Sequence, residues 1–331
     1  MKAQGQEKNC VGERPVGDKW VVTRRDLLKA SVLAGLSVVP LSLYGQASGP
    51  RVKRRFGIVT DPHYAGAAPR GSRYYRESVG KMTECVELMN ERKVDFLIEL
   101  GDFKDQDSPP IEKKTISYLQ VIERVFEQFK GARYHVIGNH DVDSISKKQL
   151  LANINNTNIP AKSTYYSFDS KGVHFVVLDA NYLADGSAYD HGNFDWRDTN
   201  ITPAELRWLE QDIAGASGPA IVFVHQQLDG KGDHYVNNAE DVRKVVQASG
   251  KVLAVFQGHN HQGHYSHIEG IHYYTLKAMV EGSGRQSNSY AIVEVLDGND
   301  MIITGYRAAV SKELPQAKSA SAAQTAYVNT L

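Results

Sequence analysis

Two cysteines in 331 residues, Cys10 and Cys85, are too few for a disulfide framework or a thiolate metal cage. Any metal bound by this chain therefore has nitrogen and oxygen ligands. Net charge is also missing. The 38 Lys/Arg balance 38 Asp/Glu at a pI near 7.2, which removes any whole-chain argument for nucleic acid or an anionic membrane as partner. No apolar run reaches the ~20 residues needed to span a bilayer as a helix, and no repeat recurs at a solenoid period. Function must reside in local sites. The length exceeds the usual ~100–200 residues per domain, but α/β folds often run longer as one unit, so one large domain with accessory segments is expected. Cys85 stands beside the stripe Val79, Met82, Val86 and Met89, whose helical spacing makes it a buried structural thiol rather than a nucleophile.

The segment Thr23-Arg24-Arg25-Asp26-Leu27-Leu28-Lys29 is followed by an apolar run from Ala30 to Leu43, interrupted by Pro40, and by the small residues Gly45 and Ala47. It resembles a twin-arginine (Tat) export signal, with Leu27 where Phe is commonest. The resemblance implies a cleaved address over residues 1–47, use of the Tat export machinery and a periplasmic or secreted enzyme. Such a route suits proteins that fold, and often load a cofactor, before crossing the membrane. Seven Lys/Arg and four Asp/Glu lie in residues 1–47, which leaves 31 against 34 in the remainder, a net charge of −3.

After a short linker (48–54), apolar runs alternate with helical patterns: Arg55–Thr60, a helix near Ser72 to Arg92, Asp95–Leu100, a helix near Ile111 to Phe129, then Arg133–Ile137. Strand and helix in series predict an α/β domain with crossover connections. Two strand-like runs flank Lys171-Gly172 and predict a hairpin, which brings antiparallel pairing into the sheet. Thr202-Pro203-Ala204-Glu205 has capping-box order with Pro at the first helical position, and Leu206, Leu209 and Ile213 share one face. Further strands are expected at 220–224, 252–256, 265–269, 272–276, 290–296 and 301–306. This mixture predicts two packed sheets with helices outside. Residues 308–331 are rich in Ala and Ser without an apolar period and are expected to be a mobile tail.

In open α/β sheets ligands bind beyond the carboxyl ends of strands. Five strands here end in potential metal ligands: Asp61-Pro62-His63, Gly101-Asp102-Phe103-Lys104-Asp105, Gly138-Asn139-His140-Asp141, His225, and Gly258-His259-Asn260-His261. One such end means little, because Asp, Asn and Gly are common in loops. Five in succession point to oxygen and imidazole ligands for two borderline divalent ions with a bridging carboxylate. Two ions ~3.5–4 Å apart suit in-line displacement at phosphorus. His264, His267 and His272 alternate with apolar residues as a strand does, so they are read as wall or surface rather than ligands.

The ordered set Asp-x-His, Gly-Asp-x-x-Asp, Gly-Asn-His-Asp, His, Gly-His-x-His resembles the calcineurin-like metallophosphoesterase family from Arg55 to about Tyr306. The resemblance implies a metallophosphoesterase domain at 55–307, built as a four-layer αββα sandwich of two mixed β-sheets flanked by helices. By the same resemblance, Asp61, His63 and His261 hold one ion, Asn139, His225 and His259 the other, and Asp102 bridges them. The ions would be Mn, Fe or Zn. His140 would face the leaving group as general acid, Asp105 would orient it, and water activated by the ions would attack. Gln106-Asp107 stands where many relatives have Arg-Gly.

Three stretches, Gly71–Ser78, Ile201–Ile213 and Gly263–Gly282, are similar to one branch, the manganese-dependent diphosphatases of ADP-ribose and CDP-alcohols. The Leu206-Arg207-Trp208-Leu209 helix is kept, while the loop before it lacks the branch's Gly-Gly-Phe. The function implied is hydrolysis of a small-molecule phosphate ester or nucleotide-type diphosphate. A broad phosphomonoesterase or phosphodiesterase and a non-catalytic metal-binding relative are the alternatives. Arg73 and Arg76 with Tyr74 and Tyr75 read either as a phosphate grip with base stacking or as a helix start with inward aromatics. Tyr64, Phe194 and Trp196 carry the same two readings, as stacking partners for a base or as aromatics packing inward.

Overall fold

A computed structural model describes residues 51–193 and 195–316. The expected export signal, Cys10, Phe194 and residues 317–331 lie outside the described residues. Two six-stranded sheets organise the rest. The first comprises β1 (Val52–Val59), β2 (Phe96–Glu99), β3 (Ala132–His135), β10 (Ser289–Leu296), β11 (Met301–Arg307) and β12 (Lys312–Leu314), in the order β12-β11-β10-β1-β2-β3. The second comprises β4 (Tyr166–Ser170), β5 (Val173–Val177), β6 (Ala220–Phe223), β7 (Val252–Gln257), β8 (His264–Ile268) and β9 (Ile271–Thr275), in the order β4-β5-β6-β7-β9-β8. Both are mixed. β1, β2 and β3 run parallel, as do β5, β6, β7 and β9; β10 pairs antiparallel with β1 inside the first sheet, and pairs of consecutive strands supply the other antiparallel contacts.

Strand periodicity explains the layering. Successive side chains point to opposite faces, so Phe56, Ile58, Phe96 and Ile98 meet Phe175, Val177, Phe223 and Phe256 between the sheets. Val59 and Leu97 face outward instead, against α1 (Ser78–Arg92) and α2 (Glu112–Phe126). On the far side, Val176, Val222 and Val255 pack on α4 (Pro203–Gly215) and α5 (Ala239–Ala248). The result is the expected αββα sandwich. A short α3 (Lys147–Leu151) follows the third ligand motif.

Several local expectations are met and others shift. The hairpin forms across Lys171-Gly172, both at positive φ. Cys85 is fully buried in α1, and burial pushes its thiol well above the ordinary value, which suits a structural role. α1 begins at Ser78 rather than near Ser72, because Tyr75 turns inward against Ala278 and Val280 instead of joining a helical stripe. Thr202 caps α4 by accepting from the Glu205 amide at 3.2 Å, but only half of the capping box forms: the Glu205 carboxylate accepts from the Asp179 amide instead. The tail expected from residue 308 gives way at its start, since Lys312–Leu314 pairs antiparallel with β11 and buries Leu314.

Candidate metal centre

The five ligand motifs leave the carboxyl ends of β1, β2 and β3 in one sheet and of β6 and β7 in the other, and they meet at one end of the sandwich. Backbone strain is concentrated there. Asp61, His63, Asp102 and His259 all hold left-handed φ angles, between 45° and 65°, which non-glycine residues rarely adopt. Close backbone approach is needed as well. A Cβ on Gly138 would lie 2.2 Å from the Asp102 nitrogen, and one on Gly258 would lie 2.2 Å from the Thr60 hydroxyl. The glycines of these motifs are therefore steric requirements of the site.

Four overlapping groups of ligand atoms result, each set lying within 4.8 Å: Asp61/His63/His261, Asp102/His225/His259, His63/Asp102/His140 and Asp105/His140/Asp143, of which the first two consist of residues expected to bind metal. Asp102 joins them. Its Oδ2 is 3.4 Å from His63 Nε2 and 3.1 Å from His225 Nε2, while its Oδ1 accepts from the His140 amide at 2.7 Å. Asp61 has a similar division: Oδ2 accepts from the Thr60 hydroxyl at 2.6 Å, and Oδ1 faces His63 and His261 Nε2 at 3.6 and 3.4 Å.

Each of three imidazoles is held at Nδ1, which fixes the ring and turns Nε2 inward. His63 Nδ1 meets Asp105 Oδ2 at 3.1 Å, His261 Nδ1 meets Glu281 Oε1 at 2.6 Å, and His225 Nδ1 donates to the Leu100 carbonyl at 2.7 Å. With Nδ1 so engaged, Nε2 is the ring atom that each imidazole turns toward the shared space, where His63 and His261 Nε2 approach to 3.1 Å. Four buried atoms of these motifs make no hydrogen bond among the described residues, Asp61 Oδ1, Asn139 Oδ1, His225 Nε2 and His259 Nε2, although Asp61 Oδ1 and His225 Nε2 face ionic partners. Buried polar atoms are normally satisfied, so ligand-type oxygens and nitrogens left without hydrogen bonds fit a pair of ions.

The electrostatics agree. Burial works to raise the Asp61 and Asp102 carboxyls, yet the surrounding imidazoles hold both well below the usual range. Burial works against the His225 cation, but Asp102 and Asp61 push it up to about 10. The site is therefore a buried space in which the Asp61 and Asp102 carboxylates are stabilised by the positive charge beside them. His140, with a side chain 24% exposed, lies at the rim: its ring centroid is 4.9 Å from that of His63. Burial lowers its tendency to protonate, and Asp105, Asp102 and Asp143 outweigh that and raise it to about 9.

The sequence expectation that Asp105 orients His140 meets a different geometry. The nearer carboxylate to His140 Nδ1 is Asp143 at 3.3 Å, with Asp105 at 3.8 Å. Asp143 and Glu281 were missed by sequence reasoning, because each lies outside the five motifs and reaches the site only through the fold. Asp141, the last residue of its motif, serves the backbone, accepting from the amides of Asp102, Phe103 and Gly138.

The remaining candidates divide. Tyr75 packs inward and Arg76 donates to the Gly66 carbonyl, whereas the Arg73 backbone pairs with Glu281 beside His261. Tyr64 meets Tyr118 edge to face, and Asp107 accepts from Tyr118 and pairs with Lys114. Trp196 is 37% exposed, with ring centroids 5.5 Å from His234 and 6.0 Å from His259. His267 stacks on His272 at 4.2 Å, and His264 approaches Asp229 at 3.5 Å; none of the three joins a ligand group among the described residues.

The sequence profile of the calcineurin-like phosphoesterases matches residues 54–263, which carry all five motifs. The chain belongs to the calcineurin-like phosphoesterase family. It is a metal-dependent hydrolase of phosphoester bonds. Similar curated proteins include the manganese-dependent ADP-ribose/CDP-alcohol diphosphatase of Oryza sativa subsp. japonica, 26% identical over 68% of this chain and 83% of that one. The protein of the same name from Arabidopsis thaliana is 25% identical over 76% of this chain and 93% of its own length. Among solved structures, a dimetal phosphatase from Danio rerio superposes with a TM-score of 0.70 at 18% identity, covering 81% of this chain and 100% of that one. The last likeness supports the fold.

Proposed function

We propose that this phosphoesterase is exported and hydrolyses a nucleotide-type diphosphate or a related small phosphate ester. Asp61, His63 and His261 would hold one ion, Asn139, His225 and His259 the other, and Asp102 would bridge them. The observation that carries the reading is the gathering of Asp61, His63 and His261 and of Asp102, His225 and His259 into two adjoining ligand groups, in motifs where four buried ligand-type atoms, Asp61 Oδ1, Asn139 Oδ1, His225 Nε2 and His259 Nε2, make no hydrogen bond among the described residues. Imidazole, amide and carboxylate donors suit Mn, Fe or Zn. The names of the rice and Arabidopsis relatives favour Mn and a diphosphate.

When bound, such ions polarise phosphoryl oxygens and make water nucleophilic near neutral pH. The protein supplies the proton. With Nδ1 directed at Asp143, His140 presents Nε2 as donor, and its proton passes to the leaving oxygen as the P–O bond breaks and the water oxygen bonds to phosphorus. A metal-reconstituted enzyme offered a monoester, a diester, ADP-ribose and CDP-choline separates the substrate classes. Preference for the two diphosphates supports this reading; equal turnover of all four replaces it with a broad phosphoesterase.

Export is supported by the Arg24-Arg25 segment alone. Replacing both arginines by lysine is expected to hold the enzyme in the cytoplasm with residues 1–47 uncleaved. Unchanged export of that variant would remove the Tat reading.

A further inference from the structure

The structure assigns the orienting of His140 to Asp143 clamped by Lys104, and it assigns Asp105 to His63. This inference rests on His140 being the proton donor.

Asp143 divides its two oxygens. Oδ1 is held by the Lys104 ammonium and by the Ser144 hydroxyl at 3.2 Å, and Ser144 is itself held by Thr115 at 2.8 Å. Oδ2 is left to face His140 Nδ1 at 3.3 Å. Lys104 is fully buried, and its ammonium also donates to the His140 carbonyl. One lysine thus fixes both the backbone of His140 and the carboxylate that holds its ring. A buried lysine needs such partners, and removing either would leave an uncompensated charge.

Asp105 is committed elsewhere. Its Oδ2 meets His63 Nδ1 at 3.1 Å, its Oδ1 accepts from the Gln106 amide at 2.7 Å, and the 3.8 Å separation from His140 is beyond hydrogen-bond range. Asp105, His140 and Asp143 lie close enough together to suggest a third cation site. The Lys104 ammonium already supplies that positive charge. Two carboxylates therefore have two tasks: Asp105 tensions a proposed metal ligand, and Asp143 is the positioning residue for proton donation. Asp143 lies outside the five motifs, and Lys104 fills a variable position of the second.

Separate Asp143→Asn and Asp105→Asn enzymes, full length and reconstituted with Mn²⁺, distinguish these tasks. The readouts are bound Mn²⁺ per chain and kcat/KM for phosphate esters of aryl and alkyl alcohols. A good aryl leaving group departs without a proton, whereas an alkoxide needs one. Asp143→Asn is expected to lose about 10–100-fold on alkyl esters, to change little on the best aryl ester, and to keep its Mn²⁺. Asp105→Asn is expected to lose Mn²⁺ and to slow on all esters alike.

An even loss across esters in Asp143→Asn, or a leaving-group-dependent loss at full metal content in Asp105→Asn, would overturn the assignment. If Asp143→Asn does not fold, Lys104→Gln/Asp143→Asn removes the buried charge pair together and is compared with Lys104→Gln alone, because losing Lys104 also frees the His140 carbonyl; a leaving-group dependence no steeper in the double variant than in Lys104→Gln would overturn the assignment. His140→Asn is run beside them. A flat leaving-group profile there overturns the proton-donor reading itself, whereas a steep one with an unaffected Asp143→Asn overturns only the assignment of Asp143.

Discussion

His225 Nε2 lies 3.1 Å from Asp102 Oδ2 and His63 Nε2 lies 3.4 Å from the same oxygen, so Asp102 stands between imidazoles from two different sheets. Removing its charge should release both proposed ions rather than one. Asp102→Asn is expected to bind less than one Mn²⁺ per chain by elemental analysis and to lose essentially all hydrolysis. Retention of two ions would show that the carboxylate does not bridge.

The Glu281–His261 contact should separate the ions. Glu281 holds His261 Nδ1 at 2.6 Å, and its contact with that imidazole keeps its carboxyl down at about 2. Glu281→Gln is therefore expected to weaken one ion by about 10–100-fold and spare the other. A Mn²⁺ titration followed by calorimetry would then resolve two unequal affinities. Equal weakening at both sites would contradict the division of ligands.

Gly138 tests the close approach beneath the site. A Cβ there would lie 2.3 Å from Asp102 Oδ1, and the neighbouring backbone has no room to give. Gly138→Ala should lower stability by about 1–3 kcal/mol and depress kcat through displacement of Asp102. A denaturant series read beside initial rates checks both. Wild-type values for the two would show that the backbone relaxes freely.

These sites were unequally legible in the sequence. The five motifs could be found because each packs its chemistry within a few residues after an apolar strand, and the structure brings all five together. Asp143 and Glu281 carry no such local signature; they reach His140 and His261 through a turn and a loop whose course depends on the whole fold. The same limit explains β12. Leu314 is a lone apolar residue in a polar stretch, so no period announces a strand, and its burial beside β11 is a tertiary event. The start of α1 moved for a related reason, since a tyrosine that packs inward from a turn looks like one that packs from a helix.

A buried charged group away from the metal centre predicts a pH dependence of stability. His135 lies between Glu99 Oε1 at 3.0 Å and Glu123 Oε2 at 3.2 Å. Burial works to lower the His135 imidazole, but the two carboxylates push it up to about 10, above an ordinary 6.5. Its stabilising contribution is thus complete below about pH 6.5 and is lost as pH rises through about 10. Glu99 acts in the same sense: burial pushes its carboxyl up to about 7, so its contribution is lost as pH rises from about 4.5 through 7. The thermal midpoint in chelator should fall from neutral to alkaline pH, and fall less in Glu99→Gln/His135→Gln. An identical fall in both proteins would exclude this triad as the cause.

The most direct test of the dinuclear account is a Mn²⁺ titration of the chelator-stripped enzyme, with bound metal and ADP-ribose hydrolysis followed together. Hydrolysis should be negligible without metal and should reach its plateau as the second Mn²⁺ per chain binds. Full hydrolysis in the stripped protein, or a plateau at a single bound ion, would contradict it.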